Sequence, residues 1–247
     1  MARSRCCGRH FTRSSAIGPR FETISPKGSR PSTAWGTELP RPSRERDILP
    51  SPVHVADGIL PVAGCVAAHV ASCAWLGLSC RKVEVAEASK MGLGAAAAFV
   101  VSMIQFPVLG VPMHLGLYGL LGIVLERRAF PVLYASLLFQ ALLLQHGGLL
   151  SLGVNALNMG SGTLIGWGAW RLSRVPQPAR AAAGGFLGAM VPVLLLAWEF
   201  KLADYGRGLF AVAAVLAAVA VLEAAVTLLA VGFFGRVKPE ILLPQQQ

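Results

Sequence analysis

Residues 59–80 read ILPVAGCVAAHVASCAWLGLSC, and the next two residues are Arg81 and Lys82. About 20 apolar residues carry an α-helix across the hydrocarbon core of a bilayer. A basic pair directly after such a run marks the end that stays in the cytoplasm. A window of about 19 residues moved along the chain finds six more apolar runs, near 91–111, 114–125, 129–145, 153–170, 181–198 and 208–235. The third is short for a span. The connections alternate in charge. Arg81, Lys82 and Lys90 follow the first run, Arg127 and Arg128 the third, Arg171, Arg174 and Arg180 the fifth, and Arg236 and Lys238 the last. Of the other connections, 110–113 is uncharged, 146–152 has only His146, and 199–207 sets Lys201 and Arg207 against Glu199 and Asp204. The expectation is an all-α polytopic membrane protein with six to seven transmembrane helices. Its membrane domain starts outside and its C-terminus ends in the cytoplasm.

Composition supports the same class. The 247 residues are 54% hydrophobic and 14% charged, against about 45–50% and 25% in soluble domains. The average hides a division. Residues 1–52 hold 10 of the 22 Lys and Arg, 4 of the 12 acidic residues and 7 of the 16 prolines. Residues 53–247 keep too few polar side chains to cover a soluble surface. The first segment reads as a disordered basic extension, and the second as the membrane domain. The extension has no apolar core or cleavage site of a signal peptide, and its charge opposes the rule the loops obey. The expectation is therefore that the working chain begins at residue 53.

Several function classes are excluded. Basic charge lies in the extension and short loops, not in an aromatic-interleaved stripe for nucleic acid. Cys6, Cys7, Cys65, Cys73 and Cys80 make neither a disulfide framework nor a zinc spacing. The chain contains no P-loop, no H-E-x-x-H and no G-x-S-x-G. Small residues recur four apart at Ala63, Ala67 and Ala71, at Gly162 and Gly166, and at Gly184 and Gly188. Such rows are contact faces for close helix packing.

Polar residues at helix ends are the informative ones in so apolar a chain. They fall in three places: Val53-His54-Val55-Ala56-Asp57-Gly58, then Gln105-Phe106-Pro107 through His114, and Gln145-His146-Gly147-Gly148 followed by Asn155 and Asn158. The charge pattern puts all three at one face, where they can converge. Histidines without Cys or Glu partners suggest an imidazole metal site. His69, mid-span among alanines, reads as a buried hydrogen-bonded histidine, and His10 carries no signal.

These motifs resemble the substrate-binding membrane component of cobalt/nickel energy-coupling-factor transporters. The resemblance rests on His54-Val55-Ala56-Asp57-Gly58-Ile59-Leu60, Gln105-Phe106-Pro107-Val108, His114, and Gln145-His146-Gly147-Gly148 with Leu152-Gly153-Val154-Asn155 and Asn158-Met159. It extends to Arg236-Val237-Lys238-Pro239-Glu240. The departures are Val53 for Met, Ala56 for Pro, and a turn before His114 poorer in Gly and Ser. The resemblance implies a non-enzymatic uptake subunit for Co2+ or Ni2+ in a bacterial or archaeal cell membrane. It implies a coupling membrane subunit, two cytoplasmic ATPases and a small accessory membrane subunit as partners, and no prosthetic cofactor. It also implies a ligand set: the amine of Val53, the amide and ring of His54, and the ring of His114. Asp57, Asn155 and Asn158 are implied to hold the inserted terminus and the ligand rings. His146 occupies a turn where that family often has an acidic residue, and is assigned a structural place. The competing readings are a membrane scaffold with incidental histidines and an intramembrane metalloenzyme.

Overall fold

A computed structural model describes residues 54–108, 111–203 and 209–243. The basic extension 1–52 and Val53 lie outside the described residues. Seven α-helices and one hairpin follow in order: α1 Val62–Ser79, α2 Val85–Met103, β1 Phe106–Val108, β2 Val111–Met113, α3 Tyr118–Leu125, α4 Ala129–Leu144, α5 Leu152–Trp170, α6 Gln177–Leu202 and α7 Leu209–Val237. Short 3-10 turns cover Glu126–Arg128 and Pro239–Leu242.

Among the described residues, five stretches are long and apolar enough to cross a membrane: Val62–Ser79, Val85–Met103, Tyr118–Leu144, Gln177–Leu202 and Leu216–Val237. Their apolar side chains stay exposed, as at Val66, Val70, Leu93, Val100, Leu142, Leu194 and Leu229. An aqueous surface does not tolerate that pattern at this density, and lipid does. The described helices have the lengths and apolar surface of a polytopic membrane protein.

Two features correct the sequence expectation. The run 91–111 is not one helix. It leaves α-geometry at Ile104, and Phe106–Val108 pairs antiparallel with Val111–Met113, Pro107 opposite Pro112. Neither proline offers an N–H or fits a helix interior, so the chain turns in a hairpin. The run 114–125 yields only the eight residues of α3, about 12 Å of helix, which is too short to cross alone. It joins α4 through Glu126–Arg128. His114 before α3 and His146 after α4 both lie beside His54, so the chain doubles back at that turn.

The glycine rows meet where they pack. Added Cβ atoms at Gly166 and Gly188 would stand 2.6 and 2.7 Å from Gly119, and one at Gly162 would stand 2.2 Å from Gly188 O. One at Gly119 would stand 2.2 Å from Gly184 O, so α3, α5 and α6 touch backbone to backbone. Ala63, Ala67 and Ala71 instead face outward on α1. Helix α5 packs against α1, α3, α4 and α6. Trp75 of α1 stacks on Phe130 of α4 at 3.9 Å, and Gly160 of α5 lies against Phe130.

The two ends of the bundle differ. At one, the buried Arg128 guanidinium donates to the carbonyls of Ser79 (2.5 Å), Arg81 (2.9 Å) and Lys82 (2.9 Å) and pairs with Glu87 at 2.7 Å. Lys90 Nζ reaches the carbonyls of Val124 and Ile241 there. The basic connections thus collect at one end. The polar clusters of residues 54–57, 114 and 146–155 collect at the other.

Candidate metal centre

The segment 54–57 is seated by α5 and the loop before it. Asn155, buried in the first turn of α5, accepts the Val55 N–H through Oδ1 at 2.8 Å and donates Nδ2–H to the Val55 carbonyl at 2.9 Å. An amide side chain that takes both backbone groups of one residue acts as a strand edge, and it fixes the neighbouring residue as well. Ser151 Oγ lies 2.7 Å from Val55 O, 2.9 Å from Asp57 Oδ1 and 3.4 Å from Gly148 O, one hydrogen among three acceptors. Asp57 also accepts the Ser151 N–H at 2.8 Å and the Leu150 N–H at 3.3 Å. Gly148 makes room for that carboxylate: a Cβ there would fall 1.9 Å from Asp57 Oδ1. Val55 is thereby wholly buried and His54 is 2% exposed.

His114 follows β2 and is 5% exposed. Its Nδ1 lies 3.1 Å from Leu115 O, and a carbonyl partner there fixes Nδ1 as the protonated nitrogen and leaves the Nε2 lone pair open. The loop after it is held from α7. Glu223 Oε1 accepts the N–H groups of Gly116 and Leu117, the latter at 2.9 Å, and Leu117 adopts a left-handed φ of 54°.

Three imidazoles meet at this point. Ring centroids of His54 and His114 stand 5.6 Å apart, those of His54 and His146 4.5 Å, and those of His114 and His146 5.5 Å. One ring nitrogen from each lies within 4.8 Å of the other two. The Nε2 atoms of His54 and His114 are buried with no hydrogen-bond partner. Burying such atoms unpaired is costly, and a cation bound by their lone pairs would offset that cost. Burial holds the His54 ring well below its ordinary pKa, with the neighbouring rings of His146 and His114 adding to it. Burial likewise lowers His114, against a smaller opposing effect of its Leu115 bond. His146 is lowered to about 4 by burial and then by His114. All three are neutral donors at pH 7. Neutral nitrogen donors suit borderline first-row ions such as Co2+, Ni2+, Cu2+ and Zn2+.

Of the residues expected from sequence, His54 and His114 come together and Asp57 and Asn155 hold the segment carrying His54. Val53 lies outside the described residues. Asn158 Nδ2 donates to Glu199 Oε2 at 2.8 Å, about one turn along α5 from Asn155. Glu199 belongs to α6, which runs to Leu202 rather than ending near 198. His146, read from sequence as shaping its turn, has its ring beside those of His54 and His114. His69 is hydrogen-bonded as expected, with Nε2 3.0 Å from both Leu149 O and Leu150 O. It is half-buried and stands outside the cluster. Glu223 was absent from the sequence reading. An ionisable residue in the middle of an apolar run was the signal that could have found it.

Comparison with known proteins agrees with this fold. Residues 54–241 match the family model described as CbiM, cobalt uptake substrate-specific transmembrane region. The cobalt transport protein CbiM of Streptomyces coelicolor is 39% identical over 147 residues, covering 55% of this chain and 63% of that protein. That of Desulforamulus reducens is 32% identical over 162 residues, 60% of this chain and 65% of that protein. The chain thus spans a little under two thirds of these relatives. A crystal structure of a transition metal transporter superposes with a TM-score of 0.66 at 27% identity, over 74% of this chain and 93% of that one. The chain belongs to the CbiM family of cobalt-uptake substrate-specific membrane proteins.

Proposed function

We propose that this chain binds Co2+ or Ni2+ at the histidine end of its bundle and delivers the ion across the cell membrane as the substrate-binding part of an energy-coupling-factor transporter. One observation carries the reading: two histidines 60 positions apart in sequence bury Nε2 atoms without a hydrogen-bond partner, and their ring centroids stand 5.6 Å apart. In a chain whose amine lies at residue 53, that amine, the amide and ring of His54 and the ring of His114 supply four nitrogens. Such a tetragonal set suits Ni2+ or Cu2+ and accepts Co2+. Asp57 and Asn155 keep His54 in place.

Under the positive-inside rule the end with Arg81, Lys82, Arg127 and Arg128 faces the cytoplasm, so the histidines face outward. With no P-loop of its own, the chain takes its energy from two cytoplasmic ATPases through a coupling membrane subunit, with a small accessory membrane subunit completing the assembly.

The test is metal uptake and metal retention in cells carrying the full transporter. His54→Ala and His114→Ala abolish both, while His69→Gln leaves both nearly intact. Normal Co2+ and Ni2+ accumulation with His114→Ala would refute the site. Retention of no metal by the purified wild-type chain would favour a scaffold. Amino-terminal sequencing of the native protein decides whether the Val53 amine is free. A cysteine placed at position 146 and labelled only from the cytoplasmic side would refute the orientation.

A further inference from the structure

We propose that His146 is a direct third imidazole ligand, so that the ion is held by a non-planar three-histidine set that favours Co2+ and Zn2+ over Ni2+. The inference rests on the metal-binding reading above and specifies its selectivity. Metal–nitrogen bonds of about 2.05 Å put paired donors about 3.3 Å apart in a tetrahedral site and about 4.1 Å apart across a planar one. The three ring nitrogens lie within 4.8 Å of one another without an ion, so closure asks for small side-chain rotations only.

Direction matters as much as distance. The His54 and His114 rings are within 24° of parallel, but His146 meets them at 79° and 63°. These tilts set the ring faces rather than the donor positions; the four nitrogens proposed above already fill one plane, so a further nitrogen from His146 binds outside it. Low-spin planar Ni2+ gains little from such a donor, whereas Co2+ and Zn2+ accept four- and five-coordinate nitrogen sets.

The backbone builds this position deliberately. Helix α4 ends as Gln145 turns left-handed at φ 51°, and the His146 N–H donates to Gln140 O at 3.1 Å. Gly147 follows at φ 80°, and a Cβ there would stand 3.3 Å from Asn155 Nδ2 and 3.6 Å from His54 Cβ. The turn that carries His146 is therefore wedged against the same amide clamp that seats His54. Moving one moves the other.

The experiment titrates the purified full-length chain with Co2+ alone and follows the visible d–d absorption, then competes with Ni2+ and Zn2+. Loss of even an outer partner of a ligand weakens metal binding about 10–100-fold. His146→Gln is expected to lose at least tenfold in Co2+ affinity and to move the Co2+/Ni2+ preference toward Ni2+. His146→Cys is expected to bind Co2+ with a near-ultraviolet thiolate-to-cobalt charge-transfer band absent from wild type, which only direct ligation produces. A Co2+-bound His146→Cys chain without that band overturns the proposal, as does wild-type affinity and spectrum in His146→Gln. The underlying site fails separately, if wild type binds no Co2+ or if His114→Ala binds it as wild type does.

Discussion

Replacing Asn155 by Ala tests whether the site is built by the clamp on Val55. The change removes two hydrogen bonds, of 2.8 and 2.9 Å, to one wholly buried residue. The Val55 carbonyl keeps Ser151 Oγ at 2.7 Å, but its N–H loses the partner it has here. A buried orphan donor costs about 1–3 kcal/mol and the second bond about 0.5–1.5 kcal/mol. Partial undocking of residues 54–57 relieves some of this, so a net of about 2 kcal/mol is reasonable. Because His54 binds only when docked, that cost falls on metal affinity, and at 1.4 kcal/mol per tenfold it weakens Co2+ binding about 30-fold. The assay is the Co2+-induced rise in thermal stability of the purified chain. At an ion concentration 100 times the wild-type Kd, wild type gains about 2.7 kcal/mol and the variant about 0.9 kcal/mol. Asn155→Asp keeps an acceptor for the N–H and falls between them. Co2+ affinity of Asn155→Ala within threefold of wild type, in a chain that unfolds at the same temperature, would refute the clamp.

Arg128→Met leaves Glu87 and three carbonyls without a buried guanidinium and is expected to cost about 3–5 kcal/mol in denaturant unfolding; adding Glu87→Gln recovers part of it, and an unchanged transition would contradict this. Gly119→Ala drives a Cβ to 2.2 Å from Gly184 O and is expected to cost about 1–3 kcal/mol or more. Gly168→Ala, with nothing within 4 Å, is neutral or stabilising by the same melt. Acid destabilises the ion-free chain. Unfolded His146 takes up its proton near pH 6.5, but the folded ring resists until about 4. Stability is therefore full above 6.5 and lost as pH falls toward 4, by about 1 kcal/mol at pH 5 after allowing for partial exposure. His146→Gln flattens that slope, and an identical slope would show that the ring is not held neutral.

The readable parts of this protein are those set by long apolar runs and by where charge can sit. Basic residues on alternate connections sorted the helix ends correctly, because Arg128 can meet Arg81 and Lys82 carbonyls only if those connections share an end. The glycine rows likewise announced the α5–α6 contact, since only residues without Cβ allow that approach. Window averaging failed where a short element or a single polar atom decides. It merged a proline hairpin into α2, left α3 as an apolar run separate from α4, and passed over Glu223 among its alanines, valines and leucines. The partners of Glu223 are two N–H groups exposed by a left-handed Leu117, a conformation no sequence pattern signals in a leucine. His146 was read as shaping its turn for a different reason. Its ring meets that of His54 because Gly147 and Asn155 press that turn against His54, and such contact between residues about 90 positions apart is a property of the packed bundle. The histidine cluster thus depends on three supports drawn from separate helices: the Asn155 clamp from α5, the Glu223 hold from α7 and the α4 terminus. Loosening any one should displace a different imidazole.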